Sequence, residues 1–380
     1  MAFEEVKVRR YDGNMDRAGV ELLERRCEVG PSQHVFLFTD TMGDPISRIR
    51  NTPLYIMLVA ELNHELIGAI QGSIKMVTLK DLVKVGYILG LRVAPPHRRK
   101  GIGSTLVGRL EEWFIGNQVD YAYMATEKDN NPSVNLFVHK LDYVKFRTPA
   151  ILVHPVKSRP LKMPSKIEVI KISEENAEYL YRRFMGSTDF FPADIDKVLR
   201  NKLSLGTWVA CNRGDRGRFG QNGNLPTNWA MVSVWNSGGL FKLRIGKAPV
   251  SCLLYSKVSK AVDKFAFACF NMPVLLRDLF EPFGFYFLYG VHQEGPGSGR
   301  MVRALCKYVH NMARVGGSDC KMVVTEVGSY DERVRPHIPH WRVLSCQEDL
   351  WCIKPMKSGS VNELTRIPQT KPLFVDPREV

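Results

Sequence analysis

Polar and apolar residues alternate over residues 6–11, which predicts an opening strand. The period changes over 14–29, where Val20, Leu22 and Leu23 mark a helix with Asn14 or Asp16 near its N-cap. Residues 54–61 and 66–77 read as two strands joined at an Asn63-His64 turn. An apolar strand at 87–93 runs into Pro95-Pro96, then a basic loop with two glycines, then a helix over 104–115. Residues 120–126 alternate as a strand, the stretch Glu127 to Ser133 turns polar, and a helix follows over 134–141, ended by Asp142-Tyr143. Residues 143–153 alternate once more and are expected to close this first unit.

Three prolines and a high charge over 155–166 forbid a helix or a central strand there. Beyond this linker the pattern repeats. A strand at 167–172, a helix at 174–185 and a strand pair at 207–211 and 229–235 lead to an aromatic strand at 283–291. That strand enters Glu294-Gly295-Pro296-Gly297-Ser298-Gly299 and then a helix over 300–314. Residues 321–326 parallel 123–127, and 341–355 parallel 143–155. Residues 213–228, rich in Gly, Arg and Asn, read as a mobile loop. The expected organisation is a first domain at 1–156, a linker at 157–166, a second domain at 167–356 and an extended tail at 357–380.

The loop after residue 93 carries the chemistry. A strand, a glycine-bearing loop and a helix start aim backbone N–H groups and a positive helix end at one point, which is a site for phosphate. The chain has no G-x-x-x-x-G-K-[ST] string. Gly101-Ile102-Gly103 lacks the third glycine of a dinucleotide fingerprint. What stands there is R-x-x-G-x-G: Arg98, Gly101, Gly103. With Leu91, Val93, Pro95 and Leu106 in order around it, this resembles the pyrophosphate loop of the GNAT superfamily of acetyl-CoA-dependent N-acetyltransferases. The resemblance implies an α/β fold (α+β, mixed sheet) and acetyl-CoA as cofactor. With the duplication, it implies tandem GNAT-like domains, the second degenerate because Glu294 stands where a phosphate needs a cation. The expected cofactor-binding residues are Leu91, Arg92, Val93, Arg98, Arg99, Lys100, Gly101, Ile102, Gly103 and Ser104. By resemblance Asn131 or Asn135 contacts the pantetheine arm, and Leu141-Asp142-Tyr143 stands for the family's Leu-Gly-Phe signature.

Composition narrows the setting. The 380 residues suggest two domains, and no run approaches the ~18 apolar residues of a membrane span. The opening Met-Ala-Phe-Glu-Glu-Val-Lys-Val reads as a charged strand, not a signal peptide. The eight cysteines show no C-x-x-C pair and no zinc spacing, so no metal is expected; they read as reduced core residues of a cytosolic or nuclear protein. The net charge of +14 favours acidic partners (CoA phosphates, nucleic acid or chromatin) or is a solvated basic surface. No nucleic-acid-binding motif is visible, and a nucleic-acid module would rest on charge alone.

Longer strings narrow the family. Glu24-Arg25-Arg26-Cys27-Glu28-Val29-Gly30-Pro31-Ser32, Asn201-Lys202-Leu203-Ser204-Leu205-Gly206-Thr207, Pro339-His340-Trp341 and Phe374-Val375-Asp376-Pro377-Arg378-Glu379 are similar to the HOOKLESS family of plant GNAT-like proteins. The resemblance implies a nuclear regulator of differential growth in hormone and light responses. It implies N-acetyltransferase activity on protein amines, with histones or other nuclear proteins as acceptors.

Transfer from a thioester to an amine needs a polarised carbonyl, a base and, for the thiolate, an acid. A backbone N–H of the bulged strand at Leu91 to Val93 suits the first. Many GNAT proteins place a tyrosine acid where Phe137 stands, and a glutamate on the strand where Ile88, Leu89 and Gly90 stand. Glu127, Tyr121 and Tyr123 remain as candidates, Glu127 with the best position; a solvated loop carboxylate is its simpler reading. His97 and His139 read as loop and surface residues. The competing reading is a catalytically impaired regulator or scaffold that binds CoA or a protein partner.

Overall fold

Two mixed sheets carry the chain, and neither is made from one half of the sequence alone. The computed structural model describes residues 6–27, 37–215, 219, 224–245, 281–316, 319–357 and 368–380. The strands are β1 (Lys7–Arg10), β2 (Leu37–Asp40), β3 (Leu54–Leu62), β4 (Glu65–Thr78), β5 (Leu82–Val93), β6 (Tyr121–Glu127), β7 (Val144–Arg147) and β8 (Pro149–Pro155). Then come β9 (Ile167–Ile172), β10 (Phe191–Pro192), β11 (Ser204–Asn212), β12 (Trp229–Asn236), β13 (Lys242–Ile245), β14 (Gly284–Glu294), β15 (Cys320–Gly328) and β16 (Asp349–Pro355). The helices are α1 (Arg17–Arg26), α2 (Ile102–Gly116), α3 (Asn131–Val134), α4 (Glu174–Met185), α5 (Ile195–Leu199) and α6 (Gly299–Val315). A π-helical turn at Asn135–Lys140 continues α3.

The first sheet runs β1-β3-β4-β5-β6-β16-β7, with β10 against β4. The second runs β8-β15-β14-β12-β11-β9, and β2 pairs with β13 in a separate ribbon. The expected single strand at 143–153 is therefore two. Val144–Arg147 stays in the first sheet and Pro149–Pro155 crosses to pair with β15 in the second. In return β16, from the end of the second half, enters the first sheet between β6 and β7. The two halves exchange a strand each way.

The expected helix at 14–29 is shorter, Arg17–Arg26; residues 28 and 29 lie outside the described residues, as do Cys252, Cys269 and, within the expected loop at 213–228, residues 216–218 and 220–223. Among the described cysteines Cys211, Cys306 and Cys352 are buried, but Cys27, Cys320 and Cys346 are only partly covered. The tail at 368–380 is no loose extension. Leu373, Phe374 and Val375 are buried in the main core, and Asp376, Arg378 and Glu379 are buried with them.

Helix α2 lies flush on the first sheet. Leu106, Val107, Leu110 and Phe114 are fully buried, each worth roughly 1.5–3 kcal/mol of burial. They fit because glycines lie beneath them: a Cβ at Gly68, Gly72 or Gly86 would press into Leu106, Leu110 or Phe114 respectively. This packing fixes where the N-terminus of α2 points.

Candidate active site

The loop between β5 and α2 is shaped for an anion. Arg99 and Gly101 both take left-handed backbone conformations, with φ of 65° and 87°. Alternation of this kind turns successive N–H groups inward. Gly101 caps α2 with no side-chain bond to the first turn, and a Cβ there would meet nothing within 4 Å. The helix thus presents its own N–H groups and positive end to whatever sits in the loop. Arg98 donates from Nε to the Val93 carbonyl at 3.1 Å, which ties the loop back to the strand end. Cys27 Sγ donates to the same carbonyl at 3.3 Å.

Above the loop the sheet splits. β5 and β6 are parallel and pair only from Val85–Tyr121 to Ile88–Met124. Beyond that point no partner strand faces Leu89 to Val93 on the β6 side. On the other side the β4 register slips between Ala69 and Gln71, and Gly90 sits at the slip with φ of 62°. A bulge of this kind breaks the ladder and leaves main-chain groups of β5 without strand partners beside the split.

A cleft of about 1520 Å³ follows this split. Leu91, Arg92, Val93, Arg98, Arg99, Gly101, Ile102, Gly103 and Ser104 line it, together with Asn131, Asn135 and Glu127. Lys100 is exposed and is not in the lining. Asn130, not its neighbour, caps α3 by accepting from the Ser133 N–H, which leaves the Asn131 and Asn135 side chains for the cleft. His97 and His139, read from sequence as loop and surface residues, also line it.

The acid and base candidates separate. Phe137 lines the cleft from the π-helical turn, buried and edge-on to Tyr143 at 5.2 Å, so no hydroxyl stands there. Tyr123 is withdrawn from the cleft: its hydroxyl is buried and donates to Glu379 at 2.5 Å, and burial pushes its pKa well up. Tyr121 is not in the lining either. Glu127, at the C-terminal end of β6, lines the cleft, as do the carboxylates Glu24 and Asp129.

Sequence reasoning did not place the remaining wall of the cleft. Glu24, Cys27, Phe38, Thr39 and Arg48 complete the cleft from α1, β2 and the turn before β3. Arg92 Nε donates to Glu24 at 2.8 Å, joining β5 to α1. Glu24 and Cys27 stand in a string that resembles the family, but nothing local places these separated segments at one cleft.

The second half repeats the design and fills it. Gly290 sits at a slip in the β12–β14 register with φ of 60°, and Gly295 in the following loop has φ of 88°. These match Gly90 and Gly101. Yet Tyr181 packs over Gly290, and His337 packs over Gly299 so tightly that a Cβ would collide. Asn228 Oδ1 accepts from the Gly297 N–H at 2.7 Å, the place an anion would take. Glu294 pairs with His292 at 2.9 Å. The second loop's donors are used by the protein itself.

Comparison with known proteins agrees with this geometry. The Acetyltransferase (GNAT) family model matches residues 21–143. Two Arabidopsis thaliana proteins, named "Probable N-acetyltransferase HLS1-like" and "Probable N-acetyltransferase HLS1", are 45% and 46% identical to the chain, each over 98% of this chain and 99% of its own length. The chain belongs to the HOOKLESS family of the GNAT superfamily. "Acetyl transferase GW6a" of Oryza sativa subsp. japonica is 34% identical over 98% of this chain and 97% of its own. Among solved structures, Saccharomyces cerevisiae N-myristoyltransferase with bound myristoyl-CoA superposes with a TM-score of 0.54 at 9% identity, covering 93% of this chain and 79% of that one. That likeness concerns the fold. Among the described residues of this HOOKLESS-family chain, no helix is long and apolar enough to cross a membrane, and no cluster of His, Cys, Asp and Glu could hold a metal ion.

Proposed function

We propose that this chain is an acetyl-CoA-dependent N-acetyltransferase acting on protein amines. The observation that carries this is the coincidence of three features in one cleft: the uncapped start of α2, the left-handed Gly101 with open space beside it, and the split between β5 and β6 at a bulge. The loop from Arg98 to Ser104 would hold the diphosphate, and Asn131 or Asn135 the pantetheine arm. Acetyl-CoA, when bound, supplies the acyl group as a thioester; C–N forms, C–S breaks, and one proton passes net from nitrogen to sulfur. Main-chain N–H groups at the Gly90 bulge polarise the carbonyl. Glu127 takes the amine's proton, directly or through water. The second half, its own loop filled, shapes the acceptor side.

The acceptors in this reading are histones or other nuclear proteins, and the setting is the nucleus, in control of differential growth during hormone and light responses in plants. Support for that setting is the family membership and the net charge of +14, which suits chromatin as a partner environment. A second reading, a regulator with impaired catalysis that binds CoA or a partner protein, is favoured by Phe137 in place of an acid and by Ile88, Leu89 and Gly90 in place of a strand carboxylate. Calorimetric titration of acetyl-CoA, followed by turnover on peptide amines, separates the two. Binding with turnover supports the enzyme; binding without it supports the regulator; no uptake at millimolar acetyl-CoA rejects both cofactor-based readings. Localisation of a tagged chain tests the nuclear assignment.

A further inference from the structure

One cleft cation stands outside the phosphate loop and has no ion pair among the described residues. Arg48 lines the cleft from the turn before β3. Its Nε is buried with no hydrogen-bond partner, and among the described residues it forms no ion pair. Its guanidinium lies over the Phe241 ring, 5.6 Å from the centroid. Burial pulls its pKa down and the nearby Glu24 charge does not offset it, which is the mark of a charge held in an unfavourable place.

The turn that holds Arg48 is rigid. Gln71 Nε2 donates to the Pro45 carbonyl at 2.8 Å, and Gln71 is the residue at the β4–β5 slip beside Gly90. Ser47 and Ile49 on either side are buried. Arg48 is thereby fixed next to the bulge where acyl transfer would occur. The phosphate loop brings the diphosphate its own donors, the N–H groups at the start of α2 with Arg98 and Arg99 beside them. The other cleft arginine outside that loop, Arg92, is already matched by Glu24.

We propose that Arg48 reads a carboxylate on the acceptor, next to the amine that is acylated, so that acceptor sites are flanked by acidic residues. This rests on the transferase reading and sharpens its acceptor class. A lysine-rich segment with no acid nearby leaves the cation unmatched and repels it. A flanking glutamate gives the planar guanidinium its two-pronged partner.

The test uses the full chain with CoA present and reads equilibrium binding, so it does not depend on turnover. The probes are heptapeptides centred on lysine with glutamate on both sides, the same peptide with glutamine, and one of equal charge with its glutamates at the ends. The flanking-glutamate peptide should bind at least about tenfold tighter than either other peptide. R48Q should bring the three within about threefold of one another, and R48K should keep only part of the preference, because an ammonium meets the carboxylate as a point charge without the fork. Equal binding of the three by wild type overturns the proposal, as does a preference that survives R48Q. If R48Q does not fold, the wild-type ratio and R48K decide. Free glutamate competing as well as the peptide keeps the Arg48–carboxylate contact but overturns the flanking-residue source. Preference without turnover rejects the enzyme and keeps Arg48; turnover without preference does the reverse.

Discussion

Glu127 and Asp349 stand directly opposite each other in the antiparallel β6–β16 ladder, and of the two only Glu127 lines the cleft. Asp349 is buried, and burial, with Glu127 nearby, pushes its carboxyl up to about 7. Burial and the Asp349 charge push Glu326, on β15, up to about 8. Both are neutral in the folded chain at acid pH. The unfolded chain ionises them from about pH 4. Their contribution to stability is therefore complete below that pH and lost as pH rises through 7 and 8. D349N should remove up to about 4 kcal/mol of this loss at pH 8 and much less at pH 5. Thermal melts of wild type and D349N at the two pH values check it; an equal change in Tm at both would contradict the ionisation account.

Gly101 offers a cleaner probe of the cofactor loop than any cation. Its φ of 87° is strained for other residues, so G101A should cost about 1–2 kcal/mol of stability. The protein leaves space beside it, so no clash adds to that cost. In G101D the new carboxylate stands where the diphosphate is expected, and acetyl-CoA affinity should fall at least about a hundredfold, far beyond the effect of G101A. Calorimetry on both variants, with a melt to confirm folding, measures the two effects apart.

The strand exchange predicts how the chain can be cut. A fragment of residues 1–156 lacks β16, so β6 and β7 lose the strand between them, and β8 has no β15 to pair with. Exposed edges of this kind aggregate. The fragment should be insoluble or unfolded by circular dichroism, although it contains the whole phosphate loop. A soluble 1–156 fragment that binds acetyl-CoA would show that the exchange is dispensable.

The buried tail gives a fourth expectation. Lys75 Nζ donates to Glu379 at 2.6 Å and to Asp376 at 3.3 Å, all three buried beneath the first sheet. K75M strips Glu379 of its cation, while Asp376 keeps Arg378, and should cost about 3–5 kcal/mol. K75M with E379Q should recover part of that loss, because the stranded charge is gone. Denaturant unfolding of the single and double variants gives the coupling.

What the sequence revealed follows from how local each feature is. The phosphate loop was legible because strand, glycines, arginine and helix start are contiguous, and backbone N–H groups do the binding. The duplication was legible for the same reason, and Gly90 with Gly290 shows it again in the bulges. Alternation announces a strand but not its neighbour, so 143–153 gave no sign that it divides between sheets or that β16 crosses back. Arg48 and Tyr123 illustrate the same limit at the site. One is brought to the cleft by the bond between Gln71 and Pro45, and the other is drawn from it by Glu379, more than two hundred residues away.

The base itself can be tried through pH. If Glu127 removes the amine's proton, E127Q should lower kcat by about 10²–10⁴-fold near neutral pH and leave acetyl-CoA affinity unchanged. The deficit should shrink as pH approaches ~10, where a lysine acceptor loses its proton unaided. A purely structural effect of E127Q would not narrow with pH, because a distorted cleft stays distorted. A pH-rate profile of wild type and E127Q on one lysine peptide therefore separates the roles. A loss under about threefold at pH 7 would hand the proton to bulk water and leave Glu127 as the partner of its strand neighbour Asp349.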